Sequence, residues 1–363
     1  MVGRSTITKG RSMKIKLTSK KEVSNYCKPY VIAEIGANHN GDMDLARQMI
    51  DSAIECGCDA VKFQSWDTKS LVSEPEYTVN TVYDDSPKKH FGSLKEMVAK
   101  YYLRKEQHYE LRDYCVEKGI DFNSTPFSKQ EVDLLNDLGV EFFKVASMDV
   151  NNLPLLKYMA KFKKTIVLST GMATLGEIET AVQTIEKEGN KNIVLLHCIS
   201  IYPPEYEDIH LHNITMLQNT FEYPVGFSDH TIGTSIPLAS VALGACIIEK
   251  HFTTDKELPG WDHEISANPK EMKIIVEESQ NIYKALGNFR RTVSKGEEEK
   301  KKKFRRSIVL DRDMTKGEIL QEDDLAFKRP GTGIAPDEAN YVIGKRLNKD
   351  LKYDHILTRE DIV

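Results

Sequence analysis

No run in the 363 residues comes near the roughly 20 consecutive apolar residues that a membrane span needs. Met1 to Lys21 is basic but lacks the apolar centre of a signal peptide, so the expected location is cytoplasmic. Strong charge of either sign is also missing. Fifty Lys and Arg against 55 Asp and Glu leave a net charge of −5, which offers no general attraction to nucleic acid or to an anionic membrane. The six cysteines (27, 56, 58, 115, 198 and 246) lack the paired spacing of a metal site, and Cys56-Gly-Cys58 is one residue short of CxxC. Reduced core thiols are therefore expected. The glycine-containing turn Glu34-Ile-Gly-Ala-Asn-His-Asn-Gly41 matches neither GxGxxG nor GxxxxGK[ST], so a nucleotide-binding, doubly wound sheet loses its signature. What is present is an ordinary globular composition, 40% hydrophobic and 29% charged, long enough for one large domain and a small one.

Eight apolar, β-branched-rich runs recur: Tyr30–Gly36, Cys58–Gln64, Ile120–Thr125, Glu141–Ser147, Thr165–Thr170, Asn192–Cys198, Tyr223–Asp229 and Ala245–Phe252. Amphipathic patterns alternate with them at Asp42–Cys56, Gln107–Lys118, Lys129–Leu138, Thr174–Glu188 and Ile232–Gly244, and a last helix is expected near Pro269–Gly287. Eight β-α units imply a (β/α)8 TIM barrel, in which the polar residues at strand C-termini carry function. The connection from Ser65 to about Lys118 is long, with Pro75, Tyr77, Tyr83 and Pro87 ahead of its helix, and reads as a substrate-covering or subunit-contacting loop. The expected division is an N-terminal extension over 1–28, the barrel over 29–288, a linker over 289–305 and a small β-rich domain over 306–363. The mixed-charge run Lys295–Arg306 reads as a solvated linker or helix face rather than a nucleic-acid site.

The strand ends concentrate chemistry. Val225-Gly-Phe-Ser-Asp-His230 and Ala245-Cys-Ile-Ile-Glu-Lys-His-Phe252 each deliver a histidine, 251 − 230 = 21 residues apart, which is one strand-helix-strand step. Side by side at one sheet end, His230 and His251 form a candidate site for a divalent metal with open positions, Mn²⁺ preferred and Mg²⁺ or Co²⁺ as alternatives. Glu34 comes from the first strand, Lys62 and Gln64 from one face of the second, Lys144, Ser147 and Asp149 from the fourth, and Ser169 and Ser228 from later ones. Two lysines and several hydroxyls at one barrel mouth suit a small, multiply charged anion. The alternative for each lysine is a carboxylate partner inside the barrel. His197, on the sixth strand, reads as a hydrogen-bonded core histidine.

In order along the chain occur Glu-Ile-Gly-Ala-Asn-His-Asn-Gly (34–41), Val-Lys-Phe-Gln (61–64), Ser-Thr-Pro-Phe (124–127), Phe-Lys-Val-Ala-Ser (143–147) and Leu-Ser-Thr-Gly-Met (168–172). Leu-Leu-His-Cys (195–198), Ser-Asp-His-Thr (228–231) and Glu-Lys-His-Phe-Thr (249–253) follow. This series resembles the sialic acid (nonulosonic acid) synthases, which condense phosphoenolpyruvate with an N-acylated mannosamine-type aldose, and the tail with Phe-Lys-Arg-Pro-Gly (327–331) resembles their antifreeze-like SAF domain. The resemblance implies a C–C bond-forming transferase working by metal-assisted aldol-like addition and C–O cleavage. It also implies a domain-swapped homodimer in which each small domain covers its partner's barrel. It assigns the metal to His230 and His251, and phosphoenolpyruvate to Lys62, Thr125, Lys144, Ser147, Ser169 and Ser228. Glu34 becomes the acid/base, Gln64, Tyr202 and Asp262 face the sugar, and the partner's Arg329 reaches the N-acyl group. Asp149 and Ser200, also on the sugar side, stand where the family's bacterial sialate enzymes have Glu and Asn, and Pro259-Gly-Trp-Asp-His263 departs from the commoner Gly-Pro-Asp. N-acetylmannosamine, its 6-phosphate and a 2,4-diacetamido-6-deoxy sugar therefore stay open as acceptors. The rival classes are a divalent-metal-dependent barrel aldolase or lyase that takes pyruvate, and a carbohydrate-binding protein.

Overall fold

The computed structural model describes residues 13–81, 92–288 and 290–363. Tyr83 and Pro87 of the long second connection, and Met1 to Ser12 of the N-terminal extension, lie outside the described residues. The chain divides into two compact units, Met1–Gly287 and Asn288–Val363.

The first unit carries eight parallel strands: β3 (Tyr30–Gly36), β4 (Ala60–Ser65), β5 (Asp121–Pro126), β6 (Phe142–Val145), β7 (Thr165–Ser169), β8 (Ile193–Cys198), β9 (Val225–Asp229) and β10 (Ile247–His251). Their order, β5-β4-β3-β10-β9-β8-β7-β6, returns the last strand to the first, with Ile247 opposite Tyr30 and His251 opposite Glu34. Asn123 Nδ2 donates to Phe142 O at 2.9 Å across the remaining gap between β5 and β6. Most of these strands are buried throughout, as expected of a parallel sheet covered on one face by helices and closed on itself, and this is the TIM-like barrel read from the sequence.

The surrounding helices are α1 (Met43–Cys56), α2 (Glu74–Val79), α3 (Leu94–Lys100), α4 (Lys105–Lys118), α5 (Lys129–Asp137), α6 (Leu153–Ala160), α7 (Leu175–Lys187), α8 (His212–Phe221), α9 (Ser235–Ala242) and α10 (Pro269–Leu286). Their ends are written in the sequence. Asp42 accepts from the main-chain N–H groups of Asp44 and Leu45 to start α1, and Gly57, at φ 82°, ends it in the left-handed region that glycine tolerates. Thr174 with Glu177 and Asn268 with Glu271 form capping boxes on α7 and α10. Among the described residues, no helix is long and apolar enough to cross a membrane.

Two parts differ from the sequence expectation. The 1–28 extension contributes an antiparallel hairpin, β1 (Ile15–Thr18) with β2 (Lys21–Val23). Its Ile15, Leu17 and Val23 pack against Tyr30, Ile32, Ala60, Phe142, Val194 and Ile247, so apolar burial makes it the floor of the barrel. The second connection is not free of structure before α4, because α2 and α3 form there around Tyr77, Leu94, Met97 and Val98, packed with Trp66 and Tyr101.

The second unit has its own core of Ile308, Leu310, Met314, Leu320, Ile334, Val342, Leu347, Leu351, Leu357 and Ile362. Its antiparallel pair, β11 (Ser307–Leu310) with β12 (Leu325–Lys328), is joined by isolated bridges and by the short helix α12 (Ala339–Val342). The expected linker contains a helix, α11 (Lys295–Phe304). A capping box from Ser294 and Glu297, acidic residues in the first turn and lysines in the last give this charged run helical order.

Candidate active site

The C-terminal ends of the strands open into a cavity of about 720 Å³. Glu34, Lys62, Gln64, Thr125, Lys144, Ser147, Ser169, Ser200, Tyr202, Ser228, His230, His251 and Asp262 all line it, so thirteen residues singled out in the sequence meet at one place. Asp149 is not among the lining residues. It sits at the end of a short turn over Ser147–Asp149, buried, with Oδ1 accepting from Asn152 Nδ2 at 2.9 Å and Oδ2 left without a hydrogen-bond partner. Arg329 belongs to the second unit, where its exposed guanidinium lies 5.3 Å from the centre of the Phe304 ring.

Register explains the convergence. Glu34 on β3 is opposite Lys62 on β4, Gln64 is opposite Thr125 on β5, and Ser228 on β9 is opposite Glu249 on β10. Lys62 Nζ lies 2.6 Å from Glu34 Oε2 and donates to Thr125 Oγ1 at 2.8 Å. Glu249 stands between the two lysines, 3.8 Å from Lys62 and 3.3 Å from Lys144, and accepts from Ser228 Oγ at 3.0 Å. Both lysines are thus paired with carboxylates, the alternative that the sequence had left open. Glu249 is the residue that sequence reasoning left without a role. The signal was there, since it precedes His251 by two on the same strand and so shares its face.

Burial dominates the electrostatics. It drives the Glu34 carboxyl up to about 7 against the attraction of Lys62, with Glu249 adding to the rise. Burial acts on Glu249 in the same sense, but Lys144 and Lys62 together outweigh it and hold this carboxylate below its ordinary range. Desolvation opposes the charge on Lys62, and Glu249 and Glu34 more than restore it. One hydroxyl is left over for a ligand, since Ser169 Oγ is buried without a hydrogen-bond partner. Ser147 Oγ accepts from Gly171 N at 3.1 Å and is also hydrogen-bonded to the Cys198 thiol.

The histidine rings lie 5.5 Å apart, and Tyr202 covers both, tilted by 31° at 4.0 Å from His230 and edge-on at 6.0 Å to His251. His230 Nδ1 meets the Ile199 carbonyl at 2.7 Å and must donate to it, so the Nε2 lone pair is free in the neutral ring. His251 Nδ1 is buried with no hydrogen-bond partner, 3.7 Å from Asp262 Oδ2. Burial, with His230 and then Lys62 reinforcing it, pushes His251 well below the ordinary histidine value. For His230 burial acts the same way, yet Cys198, whose sulfur is 4.0 Å from Nδ1, raises it above the ordinary value. An unpartnered buried ring nitrogen beside a ring already oriented by a carbonyl fits a divalent cation. Among the described residues no group of three or more His, Cys, Asp or Glu side chains is placed to hold one, so water or substrate would complete its coordination. His197 takes the structural place expected for it, with Nε2 at 2.6 Å from Ile209 O.

The rest of the cavity wall comes from segments that the strand-end argument could not reach. Trp66, Leu71, Val72, Leu94, Val98, Phe127, Trp261 and Ile265 make one side of it apolar, with Trp66 edge-on to Trp261 at 6.2 Å and to Phe127 at 6.3 Å. Glu76 and Glu264 add acidic groups to the lining.

Comparison with known proteins gives one answer along the chain. Residues 49–291 match the NeuB family and residues 305–363 match the SAF domain. The chain is 43% identical over 336 residues to the N,N'-diacetyllegionaminic acid synthase of Campylobacter jejuni, covering 91% of this chain and 99% of that one. It is 40% identical over 341 residues to the enzyme of the same name from Legionella pneumophila, covering 92% and 94%. The solved structure of an N-acetylneuraminic acid (sialic acid) synthetase from Leptospira borgpetersenii superposes with a TM-score of 0.71 at 36% identity, over 80% of this chain and 95% of that one.

Proposed function

The chain belongs to the NeuB family, and from that premise we propose that it joins phosphoenolpyruvate to a di-N-acylated 6-deoxy aldose, releasing phosphate and a nonulosonic acid. The observation that carries this reading is the convergence in one cavity of Lys62, Lys144, the unpartnered Ser169 hydroxyl and the two histidines. The lysines, with Thr125, Ser147, Ser169 and Ser228, would hold the phosphate and carboxylate of phosphoenolpyruvate through charge-assisted hydrogen bonds. His230 and His251 would hold a divalent cation, Mn²⁺ by preference, and the chemistry it supplies when bound is polarisation of the open-chain aldehyde oxygen. Carbon 3 of the enol phosphate bonds to the aldehyde carbon, water adds at carbon 2, and the bond from carbon 2 to the phosphate oxygen breaks. Glu34, held near neutrality by burial, takes the proton from that water, and Lys62 and Lys144 steady the departing phosphate.

The choice of acceptor is supported by the wall opposite the lysines. Among the described residues the cations lining the cavity are Lys62 and Lys144, both at the strand ends and both facing carboxylates, while Asn80, acidic groups and apolar side chains make up the rest of the wall beyond the strand ends. A 6-phosphate would meet no described cation there, whereas acetamido methyls and a 6-methyl match Trp66, Phe127 and Trp261. The two relatives named for a diacetylated product support the same choice. Competition among N-acetylmannosamine, its 6-phosphate and a 2,4-diacetamido-6-deoxy sugar, with phosphoenolpyruvate limiting and products separated by mass, tests it. The diacetamido product should dominate, and preference for the 6-phosphate would overturn the acceptor assignment.

A further inference from the structure

We infer that Asp229 and Lys250, a buried ion pair outside the cavity, are positioning residues that set His230 and His251 for a divalent cation. The inference rests on the metal-binding reading of that histidine pair. Asp229 and Lys250 are opposite one another in the β9–β10 ladder, and each immediately precedes a histidine of the pair. Strand alternation turns Ser228 and Glu249 into the cavity and Asp229 and Lys250 to the other face, where neither contributes to the cavity lining. Their side chains are 0% and 1% exposed.

One hydrogen bond joins the pair and three more tie it to the turn that carries His230. Asp229 Oδ2 accepts from Lys250 Nζ at 2.6 Å and from Thr231 Oγ1 at 3.1 Å, and Oδ1 accepts from Thr231 N at 3.0 Å. Lys250 Nζ also donates to Thr231 O at 2.6 Å. The backbone on both sides of His230 is therefore bound to the strand that carries His251. His230 gains further support from the Ile199 carbonyl and the Tyr202 ring, but His251 Nδ1 has no hydrogen bond of its own. The main chain of His251 is held by the β3 ladder and by Ala267 N, and Lys250 adds the tie from that strand to the turn that carries His230. Stability gives little reason to keep such a pair, since apolar replacement of a buried ion pair is often neutral or favourable. Placement of a two-histidine site, which has no third protein ligand among the described residues to correct an error, gives one.

The test is direct Mn²⁺ binding to the full chain without phosphoenolpyruvate, followed by the electron paramagnetic resonance signal of free Mn²⁺, alongside thermal melting. Asp229→Asn with Lys250→Met removes the cross-strand tie and leaves no unpaired charge. The Mn²⁺ dissociation constant should rise about 10–100-fold. The KM for phosphoenolpyruvate measured at saturating Mn²⁺ should not change, and raising Mn²⁺ should recover kcat, which general loosening of the fold would not allow. Unchanged Mn²⁺ affinity in a folded double variant overturns the positioning role alone. A parent chain that binds no Mn²⁺ overturns the metal reading and this role with it. If the double variant does not fold, Thr231→Val deletes one hydrogen bond to Asp229 and should weaken Mn²⁺ binding about fivefold; unchanged affinity there overturns the role as well.

Discussion

Glu249 changes the meaning of the two lysines. Read from the sequence, Lys62 and Lys144 are cations waiting for an anion, whereas in the structure their charge is already shared with Glu249 and Glu34. Glu249→Gln should therefore leave two buried ammonium groups with one carboxylate, lowering unfolding stability by about 3–5 kcal/mol in the absence of ligand. Saturating phosphate should recover more of the melting temperature in this variant than in the parent, and equal recovery in the two would show that Glu249 does not compensate the pair. Glu34 carries the pH dependence. With its carboxyl near 7 rather than the ordinary 4.5, folding takes up a proton there between those values, so its contribution to stability falls as pH rises through that window. The same group gives the acid limb of kcat/KM. Activity should rise through about pH 7 as the carboxylate forms, and Glu34→Gln should cost about 10²–10⁴-fold in rate and abolish the limb. A limb of the same midpoint in the variant would assign the proton to another group. Lys62 and Gln64 could be placed on one face from the period of two, while the burial of Asp149 outside the cavity lining depends on a single turn after β6 that the sequence does not signal.

At the scale of elements, the eight strands were legible because each is a short apolar run flanked by a polar end, and the observed bounds fall within about two residues of the expected ones. α6 and α8 were not. Leu153-Pro-Leu-Leu-Lys-Tyr-Met-Ala, eight residues long, is too short to show a helical period, and α8 begins without a side-chain cap. The hairpin under the barrel was missed for a related reason, since three or four residues per strand give too few alternations to count. Packing between β8, β9 and β10 is tight enough to be tested with one methyl. A Cβ on Gly226 would lie 2.7 Å from Leu196 Cδ2 and 2.8 Å from both Cβ and O of Ile247. Gly226→Ala should cost about 1–3 kcal/mol by chemical denaturation, and because β9 and β10 carry His230 and His251, Mn²⁺ affinity should fall with it. A variant as stable as the parent would mean that the neighbouring strands give way freely.

Across the whole molecule, the large cavity joins two kinds of surface whose sequence signals differ in range. Its floor is a set of strand ends, each readable within five or six residues. Its wall is assembled from Trp66, the α2–α3 segment, Phe127 and Trp261, which come together only once the long connection has folded back on the barrel mouth. That is why the strand-end half of the cavity was legible from the residues alone, while the apolar wall needed the structure. The homodimer implied by the resemblance is carried as a proposal, and sedimentation equilibrium should give twice the 41.3 kDa of the chain. A fully active species of monomer mass would contradict it. Inorganic phosphate released from phosphoenolpyruvate, measured together with the mass of the organic product, tests the proposed reaction most directly. With a 2,4-diacetamido-6-deoxy aldose and Mn²⁺ present, phosphate and a nonulosonic acid should appear in equal amounts, and both should stop when either the sugar is omitted or the metal is chelated. Phosphate release that ignores the sugar, or a condensation product formed from pyruvate instead, would contradict it.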